Sequence, residues 1–190
     1  MSSTHTRAAR YSAHMALELP RTLRGALAGA AAAGVWAAQQ PLDKRVFGVP
    51  NDDAQRLGTA VVRGRAEIPV GTAIHMLNGA VFGAVYANVA PALPVPPWAR
   101  GPLAGLAEHL ALWPLASVVD RVHPARDRIP PITGKRAAFW QAAWRHLLFG
   151  LLLGELERRL NAPEPEVPSL EDVFSSNGHG SLEHATLAVS

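Results

Sequence analysis

Apolar residues along this chain are gathered into four long runs, and polar, often charged stretches separate them. The runs cover residues 23–40, 70–90, 101–119 and 137–154, so each is 18 to 21 residues long. At about 1.5 Å per residue, a helix of that length nearly crosses the apolar part of a bilayer. The pattern predicts an all-α integral membrane protein, a bundle of four transmembrane helices.

The second and fourth runs carry the clearest membrane signals. Residues 70–90 contain no Asp, Glu, Lys or Arg, and they lie between Pro69 and Pro91. In the fourth run Trp140 and Trp144 lie near the start, and charged residues follow the end. Tryptophan and charge at the two ends are typical of an apolar span anchored at both interfaces.

The polar stretches set the domain boundaries. Residues 1–20 form a polar N-terminal segment, and residues 21–160 form the four-span membrane domain. Residues 161–190 hold five acids and no Lys or Arg, and they are rich in Pro, Ser and Gly. Such a composition predicts a disordered acidic tail.

The sequences of two connections between the apolar runs predict local structure. In the charged loop 41–68, the sequence from Pro50 to Asp53 predicts a turn and helix cap before a short helix over 54–62. The link between the second and third runs is short and uncharged. It predicts that these two spans form an antiparallel pair.

Charge favours lipid over nucleic acid as the partner. The net charge is +3, but residues 1–160 carry 18 bases and 10 acids, and these bases cluster at the ends of the apolar runs. That placement indicates anionic headgroups. The two charged loops hold ten bases and the opposite ends seven, which marginally favours cytoplasmic loops. The mean hydropathy of +0.07 is low for a membrane protein, so a soluble alanine-rich bundle remains the alternative.

The two halves of the membrane domain share sequence patterns. The first and third runs open with RGALAG and RGPLAG, and the second and fourth contain H-x-x-x-G-x-x-x-G. This similarity predicts an internal repeat of two similar transmembrane hairpins, related by an axis along the membrane normal.

Each run also contains one G-x-x-x-G pair, a spacing that lets helix backbones approach closely in a bilayer. We therefore expect these glycines to pack helices together and to support association with a second copy or with a membrane-complex partner. The eight residues are Gly25, Gly29, Gly79, Gly83, Gly101, Gly105, Gly150 and Gly154.

Three histidines within the runs are candidates for a buried polar site. His75, His109 and His146 lie on the glycine-bearing faces of their helices, at depths that differ by roughly 7 Å. They are therefore expected to converge. Asn78 lies one turn from His75 and is expected to orient it.

Two charged residues add to this site. Glu108 and Arg145 each lie near the middle of a run. Because an unpaired charge is costly at that depth, they are predicted to form an ion pair.

Three interpretations of the buried polar site remain open. It is a packing device, or it handles protons through imidazoles that titrate near neutrality. In the third interpretation His75, His109 and His146 bind zinc or iron, with Glu108 as a further ligand, or a histidine pair binds haem. The chain has no cysteine, no catalytic nucleophile motif and no phosphate-binding glycine loop, so a non-enzymatic protein is expected.

Several of these residues carry a family resemblance. They comprise Ile74, His75, Val81, Phe82, Val85 and Tyr86, then His109 ahead of Pro114 and Leu115, then His146, Leu147, Glu155, Arg158 and Arg159. Over roughly residues 22–160 the chain resembles the YagU-like family of bacterial inner-membrane proteins. The resemblance implies a multi-pass inner-membrane protein without an established biochemical activity, and an association with acid survival. It favours the proton-responsive interpretation; a metal- or haem-binding membrane subunit is the alternative.

Overall fold

The computed structural model describes residues 18–162, which are all-α, as predicted. The polar segment up to residue 17 and the predicted acidic tail from residue 163 lie outside the described residues. Six α-helices are joined by short loops and single 3₁₀ turns. They are α1 (Leu19–Phe47), α2 (Asp53–Thr59), α3 (Glu67–Val89), α4 (Pro97–Leu112), α5 (Ala116–Val122) and α6 (Arg136–Leu160).

The four long helices lie side by side in the order α3, α1, α6, α4. Helix α1 packs against α3 on one side and α6 on the other, and α4 packs against α6. Helices α3 and α4 scarcely touch. The prediction that these two spans form a pair is therefore wrong as regards their packing. Each has one glycine face, and that face is already taken up by α1 or α6.

Glycine backbones bring α1 and α3 into close contact. A Cβ atom on Gly29 would lie 2.0 Å from the carbonyl oxygen of Gly79, and one on Gly25 would lie 2.5 Å from that of Gly83. These distances are far inside van der Waals contact, so no larger side chain fits at either position. The two helices run in opposite directions.

Helices α4 and α6 approach each other in the same manner. A Cβ atom on Gly101 would lie 2.1 Å from the carbonyl oxygen of Gly150 and 2.9 Å from the Cα atom of Gly154. One on Gly105 would lie 2.2 Å from the carbonyl oxygen of His146. All eight predicted glycines thus pack helices within one chain. The internal repeat and self-association remain predictions.

The core lies where α1, α3 and α6 meet, and small residues dominate its α1 face. Ala28, Ala32 and Ala33 are fully buried there, and Phe149 and Leu153 of α6 pack against them. At the end of the bundle near the α3–α4 link, Arg21 donates to the carbonyl oxygen of Ala87 at 2.7 Å and to Glu157 at 3.2 Å. The side chain therefore joins three helices.

Helix α1 extends seven residues beyond the predicted 40 and passes through Pro41. The prediction treated this stretch as loop because it is polar. Gln40 and Asp43 are nevertheless buried, since their side chains are bonded inside the bundle. Asp43 therefore lies within the helical bundle and not in a solvated connection.

The third predicted span is interrupted. A 3₁₀ turn over Trp113–Leu115, which contains Pro114, separates α4 from α5. Proline lacks the amide hydrogen that a continuous helix needs. The predicted cap after Pro50 is confirmed, because the Asp52 side chain accepts a hydrogen bond from the Gln55 amide at 2.9 Å. Helix α2 ends at Thr59, three residues earlier than predicted.

Two helical stretches are long and apolar enough to cross a membrane, judged by length and composition. They are Gly64–Ala92, of 29 residues, and Pro97–Val122, of 26. This is weak evidence taken alone, because core helices of soluble proteins pass the same test.

The close glycine contacts predict that Gly29→Ala destabilises the bundle by about 1–3 kcal/mol, since the new methyl group meets the Gly79 backbone. Gly34→Ala is a matched control on the same helix. Its Cβ atom would meet only the terminal methyl group of Met76, at 3.7 Å. The control is expected to hold or gain up to about 1 kcal/mol through helix propensity. Thermal unfolding followed by circular dichroism compares the two, and equal stability would contradict the prediction.

Candidate functional site

A cavity of about 410 Å³ occupies the space between α3 and α4. Because these helices scarcely touch, α1 and α6 form its floor, and α2 and α5 border it at one end. Most of its lining is apolar or aromatic. The aromatic side chains are Trp36, Phe82, Trp113 and Phe149.

Five of the six predicted site residues line this cavity. His75 and Asn78 come from α3, Glu108 and His109 from α4, and His146 from α6. Arg145, the sixth, lies in a neighbouring polar cluster. Three separate helices thus bring polar side chains to one space, through the glycine contacts that hold α3 on α1 and α4 on α6.

The imidazoles are linked through an indole ring. The ring of Trp36 packs edge-on against His75 at a centroid distance of 4.8 Å and against His146 at 4.7 Å. His109 packs against His146 at 5.1 Å. The sequence pattern did not single out Trp36 as a site residue.

Two imidazoles lack polar partners among residues 18–162. The Nε2 atoms of His75 and His109 are buried and make no hydrogen bond, and His109 as a whole is only 2% exposed. His146 differs, because its Nδ1 atom donates to the Ala142 carbonyl at 2.8 Å. No hydrogen bond within that range joins Asn78 to His75. Buried polar groups usually find partners, so the unpartnered nitrogen atoms mark this cavity as a candidate binding site.

Arg145 is buried in a cluster of acids beside the cavity, with 1% of its side chain exposed. Its Nε and Nη2 atoms each donate to Asp43 at 2.6 Å, which forms a bidentate pair. Its Nη1 atom donates to Asp53 at 2.7 Å, and Nη2 also donates to the Asn51 carbonyl at 3.0 Å. The guanidinium group is therefore well satisfied.

The predicted ion pair between Arg145 and Glu108 is wrong. Arg145 takes its carboxylates from the end of α1 and the start of α2, and within residues 18–162 Glu108 forms neither an ion pair nor a hydrogen bond. The prediction missed Asp43 because it placed that residue in a loop. Its position only three residues beyond the predicted end of the first span was the available signal.

Other polar side chains hold these carboxylates in place. Gln141 donates to Asp43 at 2.9 Å and to the Val49 carbonyl at 3.0 Å. The Trp36 indole donates to Asp53 at 2.9 Å, and Gln40 accepts from the Asp53 amide at 2.8 Å. Asp53 thus connects the guanidinium cluster to the indole that contacts the histidines.

Electrostatics keep Asp53 ionised. Burial would raise the pKa of its carboxyl group, but the Arg145 guanidinium, His75, Trp36 and Asn51 together lower the pKa below its usual 3.8. A lowered carboxyl pKa contributes stability that is present above pH 3.8 and is lost as the pH falls through the folded-state value.

A second ion pair closes one end of the cavity. Arg56 donates to Asp120 at 3.2 Å and to the Pro130 carbonyl at 2.8 Å. The Asp120 carboxylate also accepts hydrogen bonds from the Thr133 hydroxyl and amide and from the Ile132 amide. The ion pair ties α2 to α5, and the bond to Pro130 ties α2 to the loop that follows α5.

The geometry gives no support to a metal centre. No group of three or more His, Asp or Glu side chains is arranged to hold a metal ion in the part of the chain that the structure describes. His75, His109 and His146 share the cavity without forming such a group. The zinc and iron alternatives gain nothing from this arrangement, and the haem alternative, which needs only a pair of histidines, stays a prediction.

The fold and site define an all-α bundle whose largely apolar cavity, with several polar side chains in its lining, lies between two helices that scarcely touch. Comparisons with protein-family models, with curated proteins and with solved structures find no match to this chain. The resemblance to YagU-like proteins therefore stays a prediction.

The arrangement around Arg145 predicts opposite outcomes for two isosteric changes. Asp43→Asn removes one charge of a buried pair and is expected to destabilise the fold by about 3–5 kcal/mol. Glu108→Gln removes no observed ion pair and is expected to change stability by less than about 0.5 kcal/mol. Chemical unfolding of both variants makes the comparison. A larger loss of stability in Glu108→Gln than in Asp43→Asn would instead support the predicted pair of Glu108 with Arg145.

Proposed function

We propose that this chain is a four-span integral membrane protein whose central cavity takes up protons, in a non-enzymatic, proton-responsive role. One observation carries the proposal. Four titratable side chains (His75, Glu108, His109 and His146) share one cavity, and none of them forms an ion pair with another described residue.

The distribution of apolar surface supports the membrane assignment. In the most apolar windows of Gly64–Ala92 and Pro97–Val122, only 17% of the residues are buried inside the bundle. A core helix of a soluble protein would be mostly buried. Large apolar side chains instead point outward along these stretches, including Leu77, Val81 and Val85. An apolar exterior along two helices of membrane length supports lipid contact.

Helices α1 and α6 follow the same pattern with fewer apolar residues. Leu23 and Leu27 are exposed on α1, and Leu151 on α6, while the charged residues Asp43 and Arg145 point inward. In a bilayer, buried charges are expected to face the bundle interior and to pair with one another. The inward pairing supports four spans.

Exposed tryptophans mark both ends of the bundle. Trp98 begins α4 at one end and is 77% exposed, and Trp140 and Trp144 are exposed near the start of α6 at the other end. Tryptophan is enriched at the two interfaces of a membrane. The charged loop after α1 and the charged loop before α6 would then lie on the same side of the membrane.

Proton uptake follows from the chemistry of the cavity lining. Histidine changes charge between about pH 5 and pH 8. A carboxyl group in an apolar cavity without a cationic partner either carries a proton or requires a counter-charge. The Trp36 indole contacts His75 and His146, and it also donates to Asp53. Protonation of these imidazoles would therefore change the electrostatic potential at the Arg145 ion-pair cluster.

The membrane assignment predicts the behaviour of the chain on fractionation. The protein is expected in the membrane pellet after extraction with alkaline carbonate, and detergent should release it. The reason is the apolar exterior of α3 and α4, which lipid or detergent would cover. Recovery in the soluble fraction without detergent would refute the assignment.

Trp36 supplies a direct readout of proton uptake. Because a protonated imidazole in contact with an indole quenches its emission, tryptophan fluorescence should fall as the pH is lowered from about 8 to about 5. A variant with both His75→Phe and His146→Phe should lose the Trp36 part of this change. Trp98→Phe, at an exposed indole, should keep it. A flat fluorescence profile of the folded wild-type protein would rule out proton uptake at this site.

A further inference from the structure

The charges around the cavity do not balance. Arg145 is matched by Asp43 in a bidentate pair, and Arg56 is matched by Asp120. Asp53 is left over after these pairs, although it shares Arg145, and Glu108 has no cationic partner among residues 18–162. The site thus carries up to two more carboxylates than guanidinium groups, and this excess favours a positively charged ligand.

The unpartnered polar atoms have the chemistry that such a ligand needs. A neutral imidazole offers one nitrogen as a hydrogen-bond acceptor, and a carboxylate offers only acceptors. The Nε2 atoms of His75 and His109 are buried without a hydrogen-bond partner, and the Glu108 carboxyl group lines the same cavity without a partner among residues 18–162. An ammonium group donates up to three hydrogen bonds and accepts none. The lining therefore suits a protonated amine better than a hydroxyl or an anion.

The rest of the cavity fits an apolar body. Aromatic rings form part of the lining, among them Trp36, Trp113 and Phe149, and aromatic faces attract organic cations. The volume of about 410 Å³ falls in the range of small-molecule pockets. Leu112 and Leu115 are exposed at the border of the cavity. An apolar amine dissolved in a lipid bilayer would meet this border first.

We propose that the cavity between α3 and α4 binds a lipophilic amine in its protonated form. Glu108 supplies the counter-charge, and the imidazoles of His75 and His109 are the hydrogen-bond acceptors. The proposal rests on the proposed function, since the same groups take up protons. Protons and amine then compete for one site, and each weakens the binding of the other by the same factor.

Every charged or titratable group that lines the cavity bears on this competition. Beside Glu108 they are His109 on α4, His75 on α3, His146 on α6, and Asp53 and Arg56 on α2. Protonation of any histidine in this set adds a positive charge and opposes the binding of a cation. The affinity for an amine is therefore expected to fall at low pH.

Three probes with one apolar cage test the proposal on the full chain in mild detergent. They are 1-aminoadamantane, adamantan-1-ol and adamantane-1-carboxylate, titrated by calorimetry at about pH 8. The ammonium form should bind, the alcohol about tenfold or more weakly, and the carboxylate not at all, because only the ammonium group pairs with a carboxylate. Equal binding of amine and alcohol would show an unselective apolar pocket and overturn the proposal.

Two variants locate the counter-charge. Glu108→Gln, expected to fold normally, should weaken amine binding by about tenfold or more. Glu155→Gln removes an exposed carboxylate on α6 that pairs with Arg158 and Arg159, and it should bind like the wild type. A titration of the amine into detergent without protein corrects for uptake by the micelles. Unchanged binding to Glu108→Gln would remove Glu108 from the site and overturn the assignment.

A pH comparison separates the two proposals. Lowering the pH from about 8 to about 5 should weaken amine binding by about tenfold or more if protons occupy the same groups. If the fluorescence of Trp36 titrates but no amine binds, the amine proposal fails alone. If the amine binds equally at both pH values and the fluorescence is flat, proton uptake fails and the competition between amine and protons fails with it.

Discussion

The buried guanidinium group of Arg145 is the constraint on which the rest of the structure depends. A positive charge in the middle of an otherwise apolar helix is stable only if carboxylates meet it there. The end of α1 and the start of α2 supply them as Asp43 and Asp53. The chain between these two residues therefore has to fold into the bundle. If this segment did not fold there, no ion-pair cluster would lie beside the cavity.

Close glycine packing keeps α3 and α4 apart. Each of these helices has one face of small residues, and that face is filled by a neighbour, α1 for α3 and α6 for α4. No comparable face is left for contact between them, so they lie apart. The cavity is the consequence, and its histidines lie one turn away from the glycines.

These two constraints together explain why histidines without partners are tolerated. The stability of the bundle comes from backbone contact and from the Arg145 cluster, neither of which requires His75 or His109. Polar groups that a fold does not need for stability are available for binding. The excess of carboxylates at the same place favours a positively charged ligand for those groups.

The order of residues by itself determined the helical class, the approximate positions of the four long helices and the glycines that bring them together. These follow from local periodicity and spacing, which do not depend on distant contacts. It also placed three histidines at similar depth, and they do share one cavity. Only the tertiary structure decided that Arg145 pairs with Asp43 and Asp53 and not with Glu108. The partner of a buried charge depends on which helices become neighbours, and packing decides this between residues that lie 92 and 102 positions apart in the chain.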